Sequence, residues 1–380
     1  MLSGWQRPPV QTLKFRYLII PPILLAILTA IVLFVYSDPN VVMLYSQCHA
    51  RARLPGLSKL PVIGTPACFL VSFFQHAVAA SRAASIMSVV LSFVSGLLTV
   101  YTVEGARVCN RPNVLIAYPT GPLLVFNLIG GAMVWELLIT PAFFHRARKI
   151  LSERERKRVI AEEEEEAGGE GPAEDEDVLD PNFGKDMRHL GNDHERIAIP
   201  IGVLLGFIAP SLGMLIKGSP GSVGVWLFSP IYVSLIRKAV RLLLRLTRSQ
   251  LRSLHLESHK VSLAMVYGAP VLCSVLSQAT LLWSLISRRD DREEMTRSTT
   301  RFVEVDITFV GLTVLYWLFV EVGWKTPGVM VLSSLLLGPG AGVCTGWIYR
   351  ERWWFKALEG VRREAEDEAR RADEETPLLA

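Results

Sequence analysis

YLIIPPILLAILTAIVLFVYS, residues Tyr17–Ser37, holds no charged side chain. A helix crossing the hydrocarbon core of a bilayer needs about 20 mostly apolar residues, so this run is long enough to cross. It follows a basic start with Arg7, Lys14 and Arg16. A signal-peptide core runs to only about 7–15 apolar residues, so the segment reads as a retained span. Working outward, comparable runs follow at Leu60–Ala79, Ala84–Val103, Val114–Phe144, Ile197–Ile216, Val223–Ile236, Val261–Ile286, Val303–Val322 and Gly328–Tyr349. Backbone polar groups cannot go unpaired in lipid, so runs of this length must be helices or be shielded by helices. The alternation of an outer-membrane barrel is absent. The expected fold class is therefore all-α, a polytopic integral membrane helix bundle of eight or nine spans, with the lipid bilayer as its first partner.

Two segments, Leu60–Ala79 and Val223–Ile236, leave that count at eight or nine, and a third is long for a single span. Leu60–Ala79 carries Pro61, Pro66 and His76 and reads as a span or a re-entrant segment. Val223–Ile236 is short and runs into Arg237 and Lys238, whose side chains can snorkel. Val114–Phe144 is long for one span, and its Pro119, Gly121 and Pro122 predict a short lead-in with a helix from Leu123 onward. Charge bias favours a cytosolic N-terminus and a cytosolic Arg146–Arg158 segment. Nine spans would leave the C-terminus outside, and eight would leave it inside.

Half of the 380 residues are hydrophobic, and the net charge of +4 averages opposite blocks. Arg146–Arg158 and Gln250–Lys260 are basic, whereas Glu162–Asp177 is acidic. No basic patch is interleaved with aromatics in a soluble domain, which argues against nucleic acid as a partner. The five cysteines (Cys48, Cys68, Cys109, Cys273, Cys344) show no metal-ligand spacing and imply no disulfide framework. The chain divides into membrane helices over 1–144, a charged and largely disordered loop over 145–196, membrane helices over 197–349, and a charged tail over 350–380. The tail ends in Glu374–Glu375–Thr376–Pro377–Leu378–Leu379, the pattern of an acidic dileucine sorting signal.

Charged residues inside spans are costly and mark candidate function. On Val303–Val322, helical spacing puts Asp306, Val310, Thr313, Trp317 and Glu321 on one face. The two acids lie about 22 Å apart along the axis, so only one can be a central acid. Asp306 leads, and Glu321 beside Lys325 reads more readily as an ion pair. Glu136, in Val134–Trp135–Glu136–Leu137, is the acid most embedded by sequence and a second proton-holding candidate. Asn127 is a substrate-binding candidate or an interhelical hydrogen bond. Trp135, Trp226, Trp283 and Trp317 offer aromatic faces for a cation or for packing. His76 reads as a packing residue more readily than a relay. Asn192–Asp193–His194–Glu195 reads as a helix cap. Asp290–Asp291–Arg292–Glu293–Glu294 has paired carboxylates of the kind that hold magnesium on a diphosphate, but in a solvated basic loop.

Several stretches occur together in order. They are Val125–Phe126–Asn127–Leu128 leading to Val134–Trp135, then Ile199–Pro200 with Leu204–Leu205–Gly206 and Pro210. Asp306 with Gly311 follows, and then Leu337–Gly338–Pro339–Gly340–Ala341 with Trp347 and Arg350–Glu351. In this the chain, from Val114 to Arg352, resembles the fungal integral membrane terpene cyclases of the ascochlorin and ascofuranone type. The resemblance implies about eight spans and cyclisation of the prenyl tail of a meroterpenoid in secondary metabolism. It also implies a multi-pass location in the endoplasmic reticulum or another endomembrane. Such enzymes protonate an epoxide or olefin and need neither metal nor other cofactor. The resemblance makes Asp306 the catalytic acid, with Glu136 as a second acid or orienting group. Asn127, Trp135, Thr313 and Trp317 would line the site of the prenylated small molecule. Val305 stands where the family usually has an aromatic residue, and Glu136 where it usually has a non-acidic one. The alternative is a non-enzymatic multi-pass protein, a transporter or assembly factor. A metal-dependent prenyltransferase using Asp290 and Asp291 is a weaker third reading.

Overall fold

The structure, a computed structural model, describes residues 9–36, 64–166, 189–247, 260–287 and 289–352, together with positions 42, 44, 46, 254 and 256. Among these residues there is no strand. Only isolated backbone pairings join Leu190 to Arg107 and to Leu254. Five helices are long and apolar enough to cross a membrane, or six if one bent pair counts as a span.

The first long helix, α1 (Phe15–Ile31), continues through a π turn at Val32–Tyr36. Then come α2 (Gly64–Ala77), α3 (Ser81–Ala106) and α4 (Thr120–Ile129). Helix α5 opens at Gly131–Val134, widens into a π turn at Trp135–Ile139 and continues over Thr140–Glu166. Helix α6 (Glu195–Lys217) has its own π turn at Leu204–Ile208. After it come α7 (Pro220–Leu227), α8 (Ser229–Thr247), α9 (Lys260–Ser287), α10 (Glu294–Val322), α11 (Lys325–Leu337) and α12 (residues 339–352). The π turns in α5 and α6 each run into a proline two residues on, Pro141 and Pro210. Proline has no N–H to give back up the helix, and a widened turn absorbs the missing bond.

Contacts at the helix ends fix the directions. At one end, Phe15 stacks edge-on against His145 with ring centroids 5.8 Å apart. Glu104, Glu321 and Arg350 meet at this same end. At the opposite end, Asp291 receives the Ser81 N–H at 2.7 Å, and Gln75 donates to the Gly218 carbonyl at 3.0 Å. From the Arg350 end, α1 runs away, α3 returns, α6 runs away, the bent pair α7–α8 returns, α9 runs away and α10 returns. The bend between α7 and α8 is 58°, so the short run Val223–Ile236 is two helices broken near Phe228.

Two expected spans fold back instead of crossing. Asn113 donates to the Ala142 carbonyl at 3.2 Å, and the Tyr101 hydroxyl donates to Leu115 O at 2.6 Å. Both ends of residues 114–144 therefore lie near the Arg350 end, and Gly130 is the inner tip. The break predicted at Pro119–Pro122 is present: a short lead-in helix, Val114–Ala117, ends at Tyr118, and α4 starts at Thr120, three residues before the expected Leu123. The turn itself is at Gly130, whose φ of 130° suits a residue without a Cβ. Residues 325–352 behave alike: α11 runs inward for about 20 Å, turns at Gly338 (φ 91°), and α12 returns. Contact between these two helices is close, with Ser333 and Thr345 hydroxyls 2.5 Å apart. Gly328–Tyr349 is thus a hairpin. Helix α2 ends beside the start of α3, and the part of Leu60–Ala79 before Gly64 lies outside the described residues, as do residues 167–188 and the dileucine tail. The first part of the expected loop, residues 145–166 with the acidic run Glu162–Glu166, instead continues helix α5.

Small residues let these elements approach. A Cβ on Gly340 would stand 2.4 Å from the backbone oxygen of Ser92, and one on Gly96 would stand 2.9 Å from Gly340 O. Such contacts are how helices pack where lipid removes the hydrophobic drive. The outer faces carry large exposed apolar side chains, among them Leu24, Phe34, Leu272, Leu276, Leu332 and Leu335. Cysteines 109, 273 and 344 are free. Cys68 is disulfide-bonded, which the scattered cysteine spacing did not announce. Gly340→Ala should destabilise the protein by about 1–3 kcal/mol, the usual cost of overpacking. Gly121→Ala, whose Cβ meets nothing within 4 Å, should change little. Thermal unfolding in detergent micelles checks the pair.

Candidate functional site

The first hairpin brings the predicted residues against α10. Asp306, Val310, Thr313, Trp317 and Glu321 are all buried, as one inward column of that helix. Asp306 sits opposite the hairpin tip. Its two oxygens accept the backbone N–H groups of Gly131 and Ala132, both at 2.9 Å. Those donors belong to the first turn of α5, which has no preceding turn to satisfy them. The carboxyl group thus caps a helix start from another helix. The fit is tight, because a Cβ on Gly131 would meet the Phe126 ring at 2.5 Å and Asp306 Oδ2 at 2.9 Å.

One turn further along α5, Glu136 is fully buried. Its Oε1 accepts a hydrogen bond from the Thr29 hydroxyl at 2.8 Å, while Oε2 has no hydrogen-bond partner. Thr313 lies against this carboxyl group, and Asp306 is near enough to be felt electrostatically. The Thr313 hydroxyl itself donates to Phe309 O at 2.8 Å. Two neighbours of Glu136 in the chain also keep buried polar atoms without partners, Trp135 Nε1 and Thr140 Oγ1. Buried polar atoms are seldom left unmatched, so three between Trp135 and Thr140 single out the π turn of α5 and the residue that follows it.

Aromatic rings continue from there towards the Arg350 end. Trp135 lies 5.8 Å from Tyr101 and 6.4 Å from Trp317. Trp317 packs on Phe143 at 4.0 Å and on Trp347 at 4.7 Å. Asn127 turns elsewhere. Its amide donates to the Leu227 carbonyl at 3.2 Å and to Ser229 Oγ at 3.3 Å, which satisfies the break between α7 and α8. Of the predicted set, then, Asp306, Glu136, Trp135, Thr313 and Trp317 come together, and Asn127 holds a helix bend. Trp226 packs on Phe74, and Trp283 faces outward.

At the end of the aromatic column lies a charge cluster that the sequence suggested only in fragments. Glu321 does not pair with Lys325. Its Oε1 accepts from Trp317 Nε1 at 2.9 Å, and its Oε2 pairs with Arg350 at 2.6 Å. Glu104 Oε1 accepts from Arg107 Nε at 3.1 Å, Arg350 Nη1 at 2.9 Å and Trp347 Nε1 at 3.2 Å. Its Oε2 accepts from Asn110 at 3.1 Å. Glu351 joins Arg350 at 3.0 Å and Arg107 at 2.8 Å. All five charged residues are buried, and every one of the six carboxylate oxygens faces a donor. Glu104 and Arg107 lie just past the segment boundary at Val103, where charge reads as ordinary loop, so hydropathy alone could not find them.

The remaining candidates are structural. Glu195 binds Arg237 at 2.7 and 2.9 Å and Arg241 at 2.9 Å, tying α6 to α8, while Asn192 Oδ1 accepts the His194 N–H at 3.1 Å. Asp291 caps α3 by accepting the N–H groups of Ser81 and Arg82 at 2.7 and 3.1 Å. Asp290 pairs with Arg292 at 2.9 Å. No group of three metal-ligating side chains occurs among the described residues. The hydrogen bonds from Arg292 hold the Asp290 carboxyl down at about 2. Partial desolvation pushes Asp291 up, but hydrogen bonds from Ser81 and Arg82 outweigh it and leave its pKa lowered.

No family model matches the sequence, and no solved structure matches it. A terpene cyclase from Pyrenophora dematioidea is 25% identical over 182 residues, 44% of this chain. The chain spans about half the length of that curated relative, 53%.

Two outcomes follow from this geometry. Arg350→Met should cost about 3–5 kcal/mol, because Glu104 and Glu321 would be left buried without their shared partner. Arg350→Lys should not restore it, since an ammonium cannot reproduce the fork. Chemical or thermal unfolding in micelles reads both. Asp290 and Asp291 are depressed in the folded protein, so what they add to stability is present above the ordinary carboxylate value near 3.8 and disappears as pH falls towards about 2. Asp291→Ala should remove about 1 kcal/mol at neutral pH, as loss of a helix cap does, and should flatten that acid limb. A pH series of melting temperatures checks it.

Proposed function

We propose that this chain is a membrane-embedded, terpene cyclase-like enzyme that protonates an epoxide or olefin of a prenylated small molecule. The observation that carries this reading is Glu136, a fully buried carboxyl group with one oxygen unpartnered, set beside the Trp135–Trp317 rings. The distant similarity to a fungal terpene cyclase supports it. In this reading Glu136 gives its proton to the epoxide oxygen, and the carbon–oxygen bond breaks. The resulting cation is attacked by the prenyl olefin, and a final carbon–hydrogen bond yields its proton back to Glu136. Product and substrate are isomers. Ring faces stabilise the cation by cation–π attraction.

Asp306 takes a different part from the acid expected of it. Both its oxygens accept backbone N–H groups, so we assign it the orientation of the hairpin that carries Glu136, and we assign Thr313 the orientation of the Glu136 carboxyl. The helix directions support six crossings and two re-entrant hairpins, with the Arg350 end cytosolic by its basic residues. A secondary-metabolite pathway and an endomembrane location complete the proposal.

One observation favours a carrier instead: two helical hairpins stop inside the bundle, as broken helices do in transporters. Against it, Asp306 and Ser274, which donates to Leu337 O at 3.1 Å, already occupy the polar groups at both tips.

Microsomes carrying the protein are given an epoxyfarnesyl aromatic compound, and products are resolved by mass and retention time. Glu136→Gln should lower turnover by about 10²–10⁴-fold, the usual contribution of a general acid. Thr29→Val should lower it less. Turnover by Glu136→Gln at the wild-type rate would sink the assignment. Passage of the compound across vesicles without conversion would favour the carrier.

A further inference from the structure

The Arg350 end carries a second surface, on α8. Between Arg196 and Leu256 the sequence holds no Asp or Glu, while α8 alone supplies Arg237, Lys238, Arg241 and Arg245. Glu195 on α6 neutralises two of them, Arg237 and Arg241. Lys238 and Arg245 are exposed and pair with no carboxylate among the described residues.

Their placement is ordered. Seven residues apart, Lys238 and Arg245 lie on one stripe of the helix. Leu235, Leu242 and Leu246, separated by seven and four, form the adjoining stripe, and all three are exposed, with Leu243 beside them. Val233 is buried on the opposite flank, where Gly202 and Gly206 of α6 let the helices touch. One flank of α8 is thus bound to the protein, one is apolar and open, and one is cationic and open. The Arg241 side chain marks the level of the α6 start, so the last turn of α8 projects beyond it.

We propose that this edge of α8 is a binding site for anionic phospholipid headgroups. Lys238 and Arg245 engage the headgroup phosphate and any further acidic group, and the leucine stripe lies along the acyl chains. An amphipathic, acid-free basic helix at an interface binds lipid in this way. Each basic residue near an anionic leaflet contributes about 1 kcal/mol. Charge complementarity selects the occupant: two unneutralised cations without a protein anion favour an acidic headgroup over a zwitterionic one.

The test uses the full chain in nanodiscs of phosphatidylcholine with one-fifth phosphatidylserine brominated on its acyl chains. A single reporter dye sits on a cysteine introduced for Thr247, at the exposed end of the helix. Brominated phosphatidylserine should quench it more than brominated phosphatidylcholine does, and 0.5 M salt should diminish the difference. Lys238→Gln with Arg245→Gln should weaken the preference by roughly thirtyfold. A double substitution of Arg148→Gln and Lys149→Gln should leave it unchanged. Equal quenching by the two lipids overturns the proposal, as does a preference that survives Lys238→Gln with Arg245→Gln. A preference abolished by inorganic phosphate at millimolar concentration also overturns it, since the site would then take free phosphate. Melting temperatures of the variants confirm that each is folded.

Discussion

A chain that turns inside a bilayer exposes backbone N–H groups where no water can reach them. The bond pair from Gly131 and Ala132 to Asp306 answers that problem, and much of the structure depends on it. Without an acceptor at that depth, α5 could not start in the middle of the bundle, and residues 114–144 would have to cross. Because Asp306 is there, the hairpin stops at Gly130 and returns. That return stacks Trp135 and Phe143 against Trp317 and sets Glu136 between Thr29 of α1 and α10. A helix start also carries partial positive charge, which suits an acidic partner. The same carboxyl group is therefore both architecture and a determinant of the site.

The second hairpin uses a different solution for the same geometry. Its tip is also a glycine in a positive-φ conformation, and a side chain from a crossing helix closes it, here the Ser274 hydroxyl on Leu337 O. A neutral carbonyl needs a donor, and a serine suffices. The two tips differ in what they leave exposed, an N–H pair at Gly131–Ala132 and a C=O at Leu337, and the residue types facing them differ accordingly.

The all-helical class was legible in the apolar runs, and five of the helices are long and apolar enough to cross a membrane, because backbone satisfaction in lipid leaves few alternatives. The inward column on α10 was legible too, since Asp306, Thr313, Trp317 and Glu321 share one face by spacing alone. The hairpins were not. Hydropathy measures length and polarity along the chain, and a run that crosses scores the same as one that returns. Proline marked the break before α4 correctly, but the reversal of direction comes further on, where it needs the backbone freedom of Gly130. Partnership was likewise hidden. Lys325 is near Glu321 in sequence, but Arg350 reaches it in space. Asp290 and Asp291 have the composition of a metal motif, yet their oxygens are taken by Arg292 and by the start of α3.

Arg350 joins Glu104 to Glu321, and this has a bearing on how the protein is made. The ribosome delivers Glu104 first, Glu321 much later and Arg350 last of the three. Glu104 has Arg107 beside it from the start, but until α12 is in place Glu321, at the end of α10, lacks the cation that neutralises it. The charge cluster is therefore closed by α12, the last of its elements to be made, and a chain ending before residue 350 would leave Glu321 buried without its ion-pair partner.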